Sequence, residues 1–153
     1  MITISVIGGH ACSESVENLA HKVGKIIAKS GAVLVCGGLL GVMQAASRGA
    51  KEAGGITIGI LPGKDKKDAN PFIDIALPTS IGYSRNVIVA CSADIIVALP
   101  GSHGTRSEIS YGIVYGRPII DLGDWGIAGM IKVKGLAEAE KKIKALVKKL
   151  GRG

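Results

Sequence analysis

The feature that most restricts the fold is a series of short apolar runs, rich in Ile and Val, that are bounded by turn residues and separated by stretches with helical spacing. The runs lie at 2–7, 32–36, 56–61, 73–77, 94–99 and 118–121. A strand with one wet face alternates apolar and polar residues, whereas these runs are predominantly apolar. They must be covered on both faces, which predicts a parallel sheet between two layers of helix. The stretches between them, at 13–29, 41–53, 82–92 and 105–115, carry the helical periodicity and plausible helix starts. The expected architecture is a single α/β domain, a three-layer α/β/α open sheet that is mainly parallel. In such sheets ligands settle beyond the carboxyl ends of the strands, where strand order reverses.

Composition narrows the functional classes. The 153 residues are 47% hydrophobic, too apolar for a disordered chain and long enough for one buried core. No apolar run reaches the roughly 18 to 20 residues that a bilayer requires, and Lys22, Lys25 and Lys29 interrupt the first helical stretch. A soluble, cytoplasmic protein is expected. Cys12, Cys36 and Cys91 are odd in number and widely spaced, which suits neither a disulfide framework nor a zinc site.

The formal charge of +7 is unevenly placed. Residues 1–131 hold 11 Lys and Arg against 10 Asp and Glu, and the remaining 22 hold eight against two. The excess belongs to a segment from Lys132 to Arg152, where Leu136, Ile143, Leu146, Val147 and Leu150 recur at helical spacing among lysines. This predicts a basic amphipathic helix at about 135–150 that packs on the domain with a solvated outer face. A nucleic-acid reader would add aromatic platforms or base-reading groups, and the segment has neither.

Unusual residues collect at the predicted carboxyl edge. Gly8-Gly9-His10 follows the first run, and Gly37-Gly38-Leu39-Leu40-Gly41-Val42-Met43 joins the second to a helix. Glycines there bring backbone N–H groups close to an anion at the helix's positive end. The spacing is only a partial GxGxxG, and no acidic residue ends the next run to hold a ribose hydroxyl, which argues against a dinucleotide dehydrogenase. A more specific run is Pro100-Gly101-Ser102-His103-Gly104-Thr105-Arg106-Ser107-Glu108. It combines a glycine-rich turn, a hydroxyl donor and a carboxylate one helical turn on. Thr105-Arg106-Ser107-Glu108 equally fits a capping box, in which Glu108 would bond back to the helix start. Arg85-Asn86 lies near the start of another helix and either reaches the same edge or remains on the surface. The polar stretch 62–71 is expected to form a rim or lid.

Gly37-Gly38, Gly41-Val42-Met43, the run 54–62, Arg85-Asn86 and Pro100-Gly101-x-x-Gly104-Thr105-x-x-Glu108, in this order, resemble the Lonely Guy phosphoribohydrolases and the related molybdenum cofactor carrier proteins over roughly residues 2–122. The short length, Asn70-Pro71 and Arg85-Asn86 are more similar to the carrier-like branch. The resemblance implies a Rossmann-like sheet, a homodimer or homotetramer, and a phosphorylated ligand. The ligand residues it implies are Gly9, Gly37, Gly38, Gly41, Met43, Arg85, Asn86, Pro100, Gly101, Ser102, His103, Gly104 and Thr105. Arg85 and Glu108 match the catalytic pair of the hydrolases, which cleave the N-glycosidic bond of a nucleoside 5′-monophosphate. There the carboxylate would stabilise an oxocarbenium-like state or direct a water, while Arg85 orients the ligand. Hydrolysis would need no cofactor and no metal; the carrier alternative would hold a molybdopterin-type cofactor as ligand. No lysine stands in an evident pyridoxal-phosphate context, so a lysine decarboxylase is not expected. Ser102-His103 departs from the hydrolase pattern and narrows the turn.

His10 and His103 end runs at the same edge and could approach Cys36, although loop histidines more often make ordinary hydrogen bonds. Asp121 and Asp124 are left as residues facing either the ligand or a second subunit.

Overall fold

A computed structural model describes residues 1–151. Seven strands form one parallel sheet in the order β4-β3-β2-β1-β5-β6-β7. They are β1 (Thr3–Ile7), β2 (Val33–Cys36), β3 (Thr57–Leu61), β4 (Ile75–Pro78), β5 (Ile95–Ala98), β6 (Ile119–Asp121) and β7 (Ile131–Lys132). The helices are α1 (Glu14–Lys29), α2 (Val42–Glu52), α3 (Arg85–Cys91), α4 (His103–Val114) and α5 (Leu136–Leu150). The three-layer α/β/α, Rossmann-like arrangement expected from the apolar runs is therefore present, with β7 as an additional short strand.

The central strand, β1, pairs with β2 on one side (Ile4 beside Leu34) and with β5 on the other (Ile4 beside Ile95). The chain thus builds outward through β2, β3 and β4, then crosses back to add β5, β6 and β7. That reversal opens a crevice at the carboxyl ends of β1 and β5. One face of the sheet packs on α1, α2 and α5 through a core that includes Ile4, Val6, Leu34, Ile95, Val97 and Ile143. The other face packs on α3 and α4 through Ile7, Val35, Ile96, Val89 and Ile109. Neighbouring strand residues alternate between the two cores, as a sheet buried on both sides requires.

Local chemistry sets the helix ends. The Ser13 hydroxyl caps α1 by accepting from the Val16 amide at 3.3 Å, with Glu14 and Glu17 in the positive first turn and Lys29 in the last. Helices α1 and α2 approach until their backbones touch. A Cβ on Gly24 would lie 1.9 Å from the Ala46 carbonyl oxygen, and one on Gly49 would lie 1.9 Å from that of His21.

The basic helix forms close to its expected limits, burying Ala139 and Ile143 against the first core. Arg152, the last cation of the expected basic segment, lies outside the described residues. The stretch 62–71 differs from a free lid. It contains a 3₁₀ turn (Lys66–Asp68), and its far end is buckled to the β2–α2 turn by Asn70. The Asn70 side-chain amide donates to the Leu39 carbonyl at 2.8 Å and its backbone N–H donates to the Gly38 carbonyl at 2.9 Å.

No helix among the described residues is long and apolar enough to cross a membrane.

Candidate functional site

Three strand-to-helix turns meet at the crevice between β1 and β5, and their glycines are what allow the meeting. The Gly9 amide donates to the Pro100 carbonyl at 2.9 Å, and the Gly9 carbonyl accepts from Val42 at 2.9 Å. Gly41, at φ +62°, sits so close that a Cβ would reach 2.3 Å from that Gly9 carbonyl oxygen. A Cβ on Gly101 would strike the Thr105 hydroxyl at 2.1 Å. These contacts leave a cleft of about 800 Å³ above the turns, in the size range of small-molecule sites.

The expected residues divide into two groups. Gly9, Gly37, Met43, Arg85, Asn86, Ser102, His103, Gly104, Thr105 and Glu108 line the cleft. Gly38, Gly41, Pro100 and Gly101 do not line it and instead shape the turns; Gly38, at φ +78°, abuts Leu61 and Gly59. Tyr83, Ser107 and Tyr111 also line the cleft and were not anticipated. Gly104, Ser107 or Glu108, and Tyr111 follow one another at helical spacing. That periodicity was available in the sequence as a sign that one face of α4 looks inward.

Helix α4 starts earlier than the capping-box pattern suggests. It begins at His103 after Ser102, and its first intrahelical bond runs from the Arg106 amide to the Ser102 carbonyl at 3.0 Å. Thr105 is therefore inside the first turn, and Glu108 does not bond back to it. The amides of His103, Gly104 and Thr105 are the first-turn donors that a helix leaves without intrahelical partners. They stand at the cleft with the Thr105 hydroxyl.

Glu108 is 7% exposed, and burial raises its carboxyl from 4.5 to about 8, with the Arg85 charge acting in the opposite direction. At neutral pH it is mainly a neutral acid. Arg85 is equally buried, at 6% exposure. Desolvation lowers its ordinary value while the Glu108 charge raises it, so the two groups sense one another without closing an ion pair. The guanidinium donates to the Gly37 carbonyl at 3.4 Å and to the Asn86 side-chain oxygen, and its Nε is buried without a partner.

Other candidates lie apart from this chemistry. Cys36 is fully buried behind the cleft, where desolvation raises its thiol and the Gly38 amide and Ser47 hydroxyl approach its sulfur. His10 and His103 are exposed. No three His, Cys, Asp or Glu side chains gather in a metal-holding group among the described residues. Asp121 is occupied structurally, accepting from the amides of Gly123, Trp125 and Gly126 at 2.9 to 3.1 Å. It borders a second cavity of about 700 Å³ with Asp124 and Lys132, away from the convergent turns.

A model of the SLOG cluster4 family matches residues 1–150. The chain is 42% identical, over 122 residues and 80% of each chain, to an uncharacterized protein of Archaeoglobus fulgidus. It is 31% identical over 117 residues to a cytokinin riboside 5′-monophosphate phosphoribohydrolase of Mycobacterium tuberculosis, covering 71% of this chain and 63% of that protein. Among solved structures, the molybdenum cofactor carrier protein of Chlamydomonas reinhardtii superposes with a TM-score of 0.87 at 33% identity. That similarity covers 96% of this chain and 98% of the carrier.

Proposed function

Because the chain belongs to the SLOG cluster4 family, we propose that its cleft binds a phosphorylated, nucleotide-like ligand and hydrolyses the N-glycosidic bond of a nucleoside 5′-monophosphate. The observation that carries this reading is Glu108, a buried carboxyl that is neutral at pH 7 and faces the cleft beside a buried arginine. A neutral carboxyl does not repel a phosphate, and it has a proton to give. The phosphate takes the first-turn amides of α4 with the Thr105 hydroxyl, at the positive end of the helix dipole.

As the bond from C1′ to the base breaks, the electron pair leaves with the base and Glu108 donates a proton to it. Water adds to the oxocarbenium-like C1′ and returns a proton to the Glu108 carboxylate, leaving free base and ribose 5-phosphate. Arg85 orients the ligand. Activity of this kind is present below about pH 8 and falls as pH rises through it, because the acid form is consumed.

A second reading is favoured by the similarity to the Chlamydomonas carrier over nearly the whole of both chains. In it, the same cleft carries a phosphorylated pterin such as molybdopterin without turnover. Incubation with purine and cytokinin-type nucleoside monophosphates, followed by chromatography for free base, separates the two. Release of base is expected; binding without release from any of them assigns the carrier role.

The protein acts as a homodimer in this proposal, through the face formed by α3, α4 and the outer strand β4. Tyr83, Ile88, Val114 and Tyr115 are exposed there. Ile75 and Leu77 are exposed beside Ile58 and Ile60, which face the α3/α4 core. Exposed apolar side chains gathered on one side support this reading. Val114 is 77% exposed, so Val114→Lys is expected to leave the fold intact and convert a dimer to a monomer in sedimentation velocity. A wild-type monomer at tens of micromolar would contradict the interface.

A further inference from the structure

Asn86 occupies the short gap between the guanidinium of Arg85 and the first turn of α4, and each end of its side chain is engaged. Its oxygen accepts from Arg85. Its NH₂ group donates to the Ser107 hydroxyl at 3.2 Å and to the Gly104 carbonyl at 3.4 Å, while the Ser107 hydroxyl donates to the same carbonyl at 2.6 Å. Since Arg85 also holds the Gly37 carbonyl at 3.4 Å, a continuous line of polar contacts runs from the β2–α2 turn to α4. Only this orientation of the amide matches donors with acceptors. The reverse would turn NH₂ toward a guanidinium and oxygen toward a carbonyl.

We propose that Asn86 is a positioning residue that holds the Arg85 guanidinium in register with the first turn of α4. It thereby couples the group that orients the ligand to the group that holds its phosphate. The role requires a side chain with an acceptor at one end and donors at the other within the reach of a single methylene. Aspartate keeps the acceptor and loses the donors, lysine has no acceptor, and alanine has neither. Arg85 lacks other strong restraints: its Nε is unpartnered and its contact with Gly37 is long. Without Asn86 the guanidinium keeps only its long contact with the Gly37 carbonyl as a polar restraint. The proposal rests on the reading of Arg85 as the ligand-orienting group.

Two measurements test it, one of which needs no ligand. The charged and titratable groups around the guanidinium are Glu108 on α4, Cys36 on β2 and Tyr83 before α3. Glu108 therefore reports where the Arg85 charge stands. In ¹³C NMR of the ligand-free full chain labelled at glutamate carboxyls, Asn86→Leu, nearly isosteric and without charge, is expected to move the Glu108 midpoint upward as the guanidinium loses its acceptor and drifts away. Asn86→Ala is expected to move it in the same direction as the guanidinium drifts. With AMP as the probe, Asn86→Ala is expected to lower kcat on the order of 100-fold and alter KM by less than about threefold, the pattern of a misplaced group. Should Asn86→Ala not fold, the nearly isosteric, uncharged Asn86→Leu decides alone. A Glu108 midpoint unchanged in the folded variants overturns the proposal. Absence of AMP turnover by the wild-type protein counts against hydrolysis only, since the titration reads the coupling without it.

Discussion

Replacing Glu108 by glutamine is expected to reduce release of base from a nucleoside monophosphate by about three orders of magnitude while leaving phosphate affinity nearly unchanged. General acid catalysis is worth roughly 10²- to 10⁴-fold, and the amide keeps the shape but has no proton to transfer. The same substitution has an opposite effect on folding. Between about pH 4.5 and 8 the folded protein retains a proton on Glu108 that the unfolded chain has released, so rising pH favours unfolding across that window. Above about pH 8 the burial of the carboxylate costs on the order of 4 to 5 kcal/mol, at about 1.4 kcal/mol per pH unit. Glutamine has no such penalty. Urea denaturation at pH 5 and pH 9 should show Glu108→Gln gaining stability over wild type at the higher pH only. A variant that is inactive and equally destabilised at both would assign Glu108 to the fold rather than to the chemistry.

The second large effect lies on the opposite face of the sheet. Gly→Ala inside a helix ordinarily stabilises by up to about 1 kcal/mol, through propensity and a stiffer unfolded chain. At Gly24 and Gly49 the sign should reverse. Each new methyl would fall 1.9 Å from a backbone carbonyl oxygen of the facing helix, and a backbone oxygen cannot rotate away as a side chain can. Relief requires α1 and α2 to separate, which opens the core around Val23, Ile27 and Ala46. Overpacking of this kind costs about 1 to 3 kcal/mol and more when backbone must move. Gly24→Ala and Gly49→Ala are each expected to lose about 3 kcal/mol, and the pair to fail to fold at 37 °C. A gain in melting temperature for either would show that the helices have room that the geometry denies.

The legibility of this fold follows from where its information is stored. Predominantly apolar runs announced six strands because burial on both faces of the inner strands admits few polar residues, Ser5, Thr57 and Asp121 being the buried exceptions. The last strand, β7, consists of Ile131 and Lys132, and a two-residue element has no periodicity to recognise. Around the site, the convergence of the glycine turns and the placement of Arg85 and Glu108 at the cleft were readable because each belongs to a short local motif. The start of α4 was misplaced: Thr105-x-x-Glu108 has the spacing of a capping box, but the turn through Pro100 and Gly101 delivers the chain in helical geometry from His103 onward. Glu108 is then free to face the cleft. The role of Asn70 has no local signal, since the carbonyls it holds belong to residues more than 30 positions away. Such a partner is visible only in three dimensions.

The position of β1 has a consequence for how the protein is made. Its first neighbour, β2, follows after one helix, but its second, β5, begins at Ile95. At roughly 5 to 20 residues per second, a ribosome needs several seconds to deliver the strand that closes the far side of the sheet's centre. Throughout that interval the nascent chain displays an unpaired row of amides and carbonyls on the strand that becomes the centre of the sheet. Synthesis speed over residues 8–98, and whatever shields that open edge, should therefore govern yield more strongly than the stability of the finished molecule.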